Sequence, residues 1–129
     1  MAQAHGKKRP VNLNLMTINL PLAGKVSILH RVSGAGLFFF LPVLLWLFQT
    51  SLTSPESFAA FQELAAFWPA KVILAGLIWA YLHHFCAGIR FLLLDLHIGI
   101  EKEAAVKSSA AVLVVSLALT ALIVWRVLL

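Results

Sequence analysis

The sequence predicts an all-α membrane protein with three transmembrane helices, on three observations. Of the 129 residues, 61% are hydrophobic and 12% charged, a composition too apolar for a soluble domain of this size. Three stretches, about residues 30–52, 69–95 and 109–129, approach the roughly 20 apolar residues that carry a helix across a bilayer. Basic residues segregate to one side. Lys7, Lys8, Arg9, Lys25 and Arg31 precede or open the first span, and Arg90, Lys102 and Lys107 flank the connection between the second and third. Lys71 and Arg126 alone fall opposite. Because Lys and Arg resist translocation, the N-terminus is expected in the cytoplasm and the C-terminus on the outer side. The chain divides into an N-terminal segment, 1–26, and a three-helix domain, 27–129.

The N-terminal segment lacks the continuous apolar core of a signal peptide, so the first span is expected to be its own insertion signal. Its stretch Pro10 to Gly24 alternates apolar and polar residues between Pro10 and Pro21 and reads as extended chain at the interface, beside a basic arm at Met1 to Arg9. The first span carries the small residues Ser33, Gly34, Ala35 and Gly36, which permit close approach of a helix or cofactor. Pro42 is expected to kink it. Thr50 to Ser57 reads as the short outer loop. Trp46, Trp68 and Trp125 fall near that same surface, as interfacial anchors do. The third span has Ser116 and Thr120 as its interior polar groups and reads as packing material. The net charge of +5 follows from the basic bias and contact with anionic headgroups. Its scattered lysines and arginines form no nucleic-acid stripe.

The chemistry concentrates in the second span. Cys86 lies within an apolar helix, where cysteine acts as a small hydrophobe. There is no Cys-x-x-Cys-His, no glycine-rich phosphate loop and no convincing Ser/His/Asp grouping. At 100° per residue, His84, Gly88, Phe91 and Asp95 share one stripe. A glycine one turn from a histidine leaves room for a flat ligand, and neutral imidazole is an axial ligand of haem iron. The same pair also suits a histidine hydrogen-bonded to a neighbouring helix, with the glycine serving close packing. His84 lies about 16 Å from the helix end at Asp95. On that depth argument His30 and His97 are expected to be too shallow to supply a second ligand, and His83 points about 100° away. A six-coordinate haem would then need a ligand from another subunit. Ser27, His30, Arg31 and Gly34 form a second stripe at the entry of the first span. It suits haem propionates or a quinone carbonyl, or else is a capping serine followed by positive-inside residues. Asp95, opposed by the dipole at its helix end, calls for a cationic partner, with Arg31 or Arg90 as candidates.

Arg9-Pro-Val-Asn-Leu13, Ser27-Ile-Leu-His-Arg31-Val-Ser-Gly34 and His84-x-x-x-Gly88-Ile-Arg90 with Asp95 together resemble the cytochrome b556 membrane-anchor subunits of bacterial succinate dehydrogenases. The resemblance covers nearly the whole chain. It implies a three-helix half of a haem-binding bundle, completed by a second small anchor subunit, within a complex that also holds a flavoprotein and an iron–sulfur subunit in the bacterial inner membrane. His84 matches the axial ligand of haem b, with the other histidine supplied by the second anchor. Ser27 and Arg31 match residues lining the ubiquinone site, and His30 and Arg31 lie near haem propionates in family members. The N-terminal segment then reads as docking surface for the iron–sulfur subunit. Some relatives carry a histidine after Gly-Ile-Arg where this chain has Phe91, so that propionate contact does not carry over. Two other readings stand beside this one: a cofactor-free membrane scaffold or transporter subunit, and the anchor of a fumarate-reducing relative.

Overall fold

In the computed structural model, which describes residues 18–128, every regular element is helical. α1 (Leu22–Thr53), α2 (Pro55–Ala66), α3 (Trp68–Asp95) and α4 (Lys102–Ile123) follow in order, and α4 closes in a π turn over Val124–Leu128. Three of them, α1, α3 and Lys102–Leu128, are long and apolar enough to cross a membrane. The expected three spans are present; α3 matches its reading to within one residue, whereas the first and third begin earlier than read. α1 starts at Leu22, because Pro21 is extended (φ −63°, ψ 159°) and its carbonyl accepts from the amides of Gly24 at 2.9 Å and Lys25 at 3.1 Å. Ser27 therefore stands inside the helix and is no N-cap. At 1.5 Å per residue α1 is about 48 Å long, more than the hydrocarbon core requires. It runs unbroken through Pro42. The motif Arg9 to Leu13 lies outside the described residues.

The expected outer loop is a single-residue break. Ser54 is extended and caps α2, accepting at its hydroxyl from the Ser57 amide (3.1 Å), while Ser57 Oγ accepts from the Ser54 amide (2.9 Å). Pro55 then occupies the first turn, where its missing N–H costs nothing. The Glu56 carboxyl is held below its usual range by its own backbone amide and by the Ser54 hydroxyl. Phe67, followed by Pro69, ends α2 and turns the chain into α3. At the other end, α3 closes in a Schellman motif. The Ile98 amide donates to the Leu93 carbonyl and the His97 amide to Leu94, both at 2.9 Å, with His97 in the left-handed region at φ 61°.

α3 packs between α1 and α4, and the buried stripes follow helical spacing: Val26 and Ser33 on α1, His83, Ala87 and Arg90 on α3, Ser109, Val112 and Ser116 on α4. The interior is polar and small, and the large apolar side chains point outward, Phe38, Phe39 and Trp68 among them. That inversion suits a bilayer, where burial of a leucine brings no hydrophobic gain and small residues let backbones approach. The hydroxyls of Ser109 and Ser116 are satisfied within α4, on the Ala105 (2.7 Å) and Leu113 (3.1 Å) carbonyls. Cys86 packs as a small hydrophobe beside the Val26, Ala87 and Val112 cluster. The three tryptophans read as interfacial anchors, Trp46, Trp68 and Trp125, are all exposed.

Candidate functional site

The site lies where the entry half of α1 crosses the second half of α3, and its centre is His30. The stripe on α3 makes the seat for this imidazole. Its ring stacks on His84 with centroids 4.1 Å apart and planes 6° from parallel, and it meets the Phe91 ring at 5.1 Å. A Cβ added at Gly88 would stand 3.7 Å from His30 Nε2. His84, Gly88 and Phe91 thus share a face as their spacing predicts, but the residue they receive was expected at the surface. His30 is half-buried and level with His84. The expectation that it was too shallow is corrected, because α1 begins a full two turns earlier than the apolar stretch suggested.

His84 is oriented from α1. Its Nδ1 lies 3.0 Å from the His30 carbonyl and 3.4 Å from Ser33 Oγ, which itself donates to that carbonyl at 3.0 Å. A carbonyl only accepts, so Nδ1 carries the proton and Nε2 keeps a lone pair. That tautomer fits a metal ligand, whose second nitrogen is usually held by a backbone carbonyl. Across the helix interface Gly34 also makes room for His84. A Cβ at Gly34 would stand 2.7 Å from His84 Cε1, closer than real contacts allow. Both alternatives read in the sequence for the His-Gly pair are served by this arrangement: the histidine bonds a neighbouring helix, and its outer nitrogen has no hydrogen-bond partner among the described residues.

The remaining candidates divide. On the α1 stripe, His30 and Gly34 face α3, Ser27 is half-buried and Arg31 is exposed. Asp95 is exposed and forms no ion pair with Arg31 or Arg90; among the described residues the one ion pair joins Lys107 to Glu103, at 2.9 Å. The expected Asp95 partnership is therefore absent. Asp95 ends the helix beyond the site, and Arg90 turns the other way, toward α4. His83, set aside in the sequence on helical phase, does point away from His84's position, and that phase buries it completely. Its two ring nitrogens and Trp79 Nε1 have no partner among the described residues. No group of three or more metal-ligating side chains forms among the described residues.

A multi-pass helical membrane protein that presents one carbonyl-oriented imidazole beside a polar entry stripe is the class that fold and site define. The particular family follows from comparison. Residues 5–123 match the family described as succinate dehydrogenase/fumarate reductase transmembrane subunit. The chain is 36% identical to a succinate dehydrogenase cytochrome b556 subunit of Paracoccus denitrificans, over 95% of this chain and 94% of that one. It is 31% identical to the subunit of the same name from Rickettsia felis over 90% of each chain, and 38% identical to that of Coxiella burnetii over 69% of this chain and 72% of the relative. The chain belongs to the succinate dehydrogenase/fumarate reductase transmembrane subunit family, and it is a membrane subunit of the succinate dehydrogenase cytochrome b556 kind.

Proposed function

We propose that this chain is a membrane anchor of a succinate:ubiquinone oxidoreductase, sharing haem b with a second small anchor subunit and forming part of the quinone site. The observation that carries the reading is the bond from His84 Nδ1 to the His30 carbonyl, which leaves the Nε2 lone pair to act as a metal ligand. His84 would hold the iron together with a histidine of the second anchor subunit. His30, stacked on His84, and Arg31 on the next residue would meet the propionates. Bound there, haem b would supply a one-electron redox centre beside the quinone. This chain's own work is to fix the imidazole by the His30 carbonyl, Ser33 and the space at Gly34. Reduction of a quinone takes two electrons and two protons. Ser27 would hydrogen-bond one carbonyl, and Arg31 would stabilise negative charge developing on it by preorganised electrostatics. Succinate oxidation and the relay of its electrons belong to the flavoprotein and iron–sulfur subunits, the latter docking on the N-terminal segment. The names of the relatives favour the succinate-oxidising member of the family over the fumarate-reducing one. The bacterial relatives support an inner-membrane location, and the basic bias supports a cytoplasmic N-terminus and a periplasmic C-terminus.

A reduced-minus-oxidised visible spectrum of membranes bearing the assembled complex tests the reading. A low-spin b-type band is expected in wild type and in His83→Leu, and is lost or shifted in His84→Leu. An assembled wild-type complex without the band would leave a cofactor-free anchor as the better account. Quinone reductase activity unchanged in an intact Arg31→Leu complex would remove Arg31 from the quinone site.

A further inference from the structure

Arg90 is a cation that this chain buries and does not neutralise. It is 6% exposed. Nε donates to Ser108 Oγ at 2.9 Å and Nη2 to the Ala105 carbonyl at 3.3 Å, and the guanidinium lies 5.5 Å from the Phe91 ring centre. All three neighbours are uncharged. The chain has five acidic side chains, Glu56, Glu63, Asp95, Glu101 and Glu103, all within the described residues, and the one ion pair they make is Glu103 with Lys107. No side-chain carboxylate of this protein therefore balances Arg90. A charge held out of water without a counter-charge is costly, and in a membrane it marks a partner.

Position indicates what that partner is. The guanidinium fork has five N–H donors, and Nη1 has no bond among the described residues; it is also not among the enclosed orphan atoms, which are Trp79 Nε1 and the ring nitrogens of His83. It thus reaches the molecular surface. The residue lies about 8 Å from the end of α3 at Asp95, close enough to that end for its long side chain to reach the headgroup region. From His84 to Arg90 the helix turns by a net 120° or so, away from the α1 side and toward α4. Lys102, exposed and one turn before Ala105 on α4, adds a second cation at the same helix end.

We propose that Arg90 and Lys102 form a phosphate site between α3 and α4 at the basic end of the bundle, taken by the phosphodiester of an anionic membrane lipid. The Ser108 and Ala105 bonds aim the fork, and the lipid oxygens accept from its free end. A lipid fits better than free phosphate because the bilayer presents its phosphates at this end of the bundle. The inference uses the membrane setting alone and is independent of the haem and quinone reading.

The assembled, full-length complex would be reconstituted in phosphatidylcholine bilayers with or without a minority of phosphatidylglycerol, and its thermal midpoint measured. Phosphatidylglycerol is expected to raise the wild-type midpoint by a few degrees and to leave Arg90→Gln unmoved. Ser108→Ala, which keeps the guanidinium but removes one of the two bonds that aim it, should give a smaller rise than wild type. Lys102→Gln, an exposed change that spares folding, should reduce it, and this variant decides the matter if Arg90→Gln does not assemble. Inorganic phosphate added to the detergent-solubilised complex should have no effect. The proposal is overturned by an unmoved wild type, by a full rise in Arg90→Gln or Lys102→Gln, or by an equal rise with inorganic phosphate.

Discussion

At Gly34 one methyl group decides whether His84 keeps its place. The added Cβ of Gly34→Ala would press on His84 Cε1 at 2.7 Å, so the ring must shift and its bond to the His30 carbonyl lengthen. We expect a loss of about 1–3 kcal/mol, as for other overpacked cores, together with a perturbed b-type band. Gly88→Ala, with 3.7 Å to His30, should be neutral or stabilise α3 by up to about 1 kcal/mol. Thermal midpoints of the two variants check this, and equal losses would defeat it. The sequence named both glycines, Gly88 as room beside His84 and Gly34 as a place of close approach, and the tighter contact with His84 falls at Gly34. Spacing within one helix reports which residues share a face, whereas the ring that fills the space comes from whichever helix packs there. His30 shows the same limit, since its depth depended on where α1 begins and not on its neighbours in sequence.

Among the elements, the α3–α4 connection is the strained one. His97 occupies the C′ position of the Schellman motif at φ 61°, where a side chain costs about 1 kcal/mol relative to glycine. His97→Gly should therefore raise stability by about that amount without altering the haem spectrum. A lower midpoint would mean that the imidazole makes a compensating contact. α2 was the element hidden in the sequence. Its Ser54 and Pro55 signal both a loop and a helix start, and the twelve residues that follow are too few to span. The capping pair Ser54 and Ser57 resolved the ambiguity only once the backbone brought the two hydroxyls together. Arg90 and Ser108 belong here too, because Ser108 stood just outside the third apolar stretch and their bond joins two elements that spacing treats separately.

For the whole molecule, the basic bias leads to a definite outcome. Alkaline phosphatase fused after the last residue should be active in the periplasm, and fused within the α3–α4 turn it should be inactive. The reverse pattern would invert the proposed site to the wrong face of the membrane. The class of protein, three spans, the stripe of His84, Gly88 and Phe91, and the family were all legible from the sequence, because hydrophobic length and helical period are local properties that a bilayer enforces on any packing. The tertiary structure decided what faces what. It placed His30 against His84, made a backbone carbonyl of α1 the determinant of the His84 tautomer, left Asp95 without an ion pair among the described residues and enclosed Arg90 against α4. Those outcomes depend on helix ends and crossings, and in a membrane these are set by small residues and polar contacts between helices rather than by the apolar pattern along any one of them.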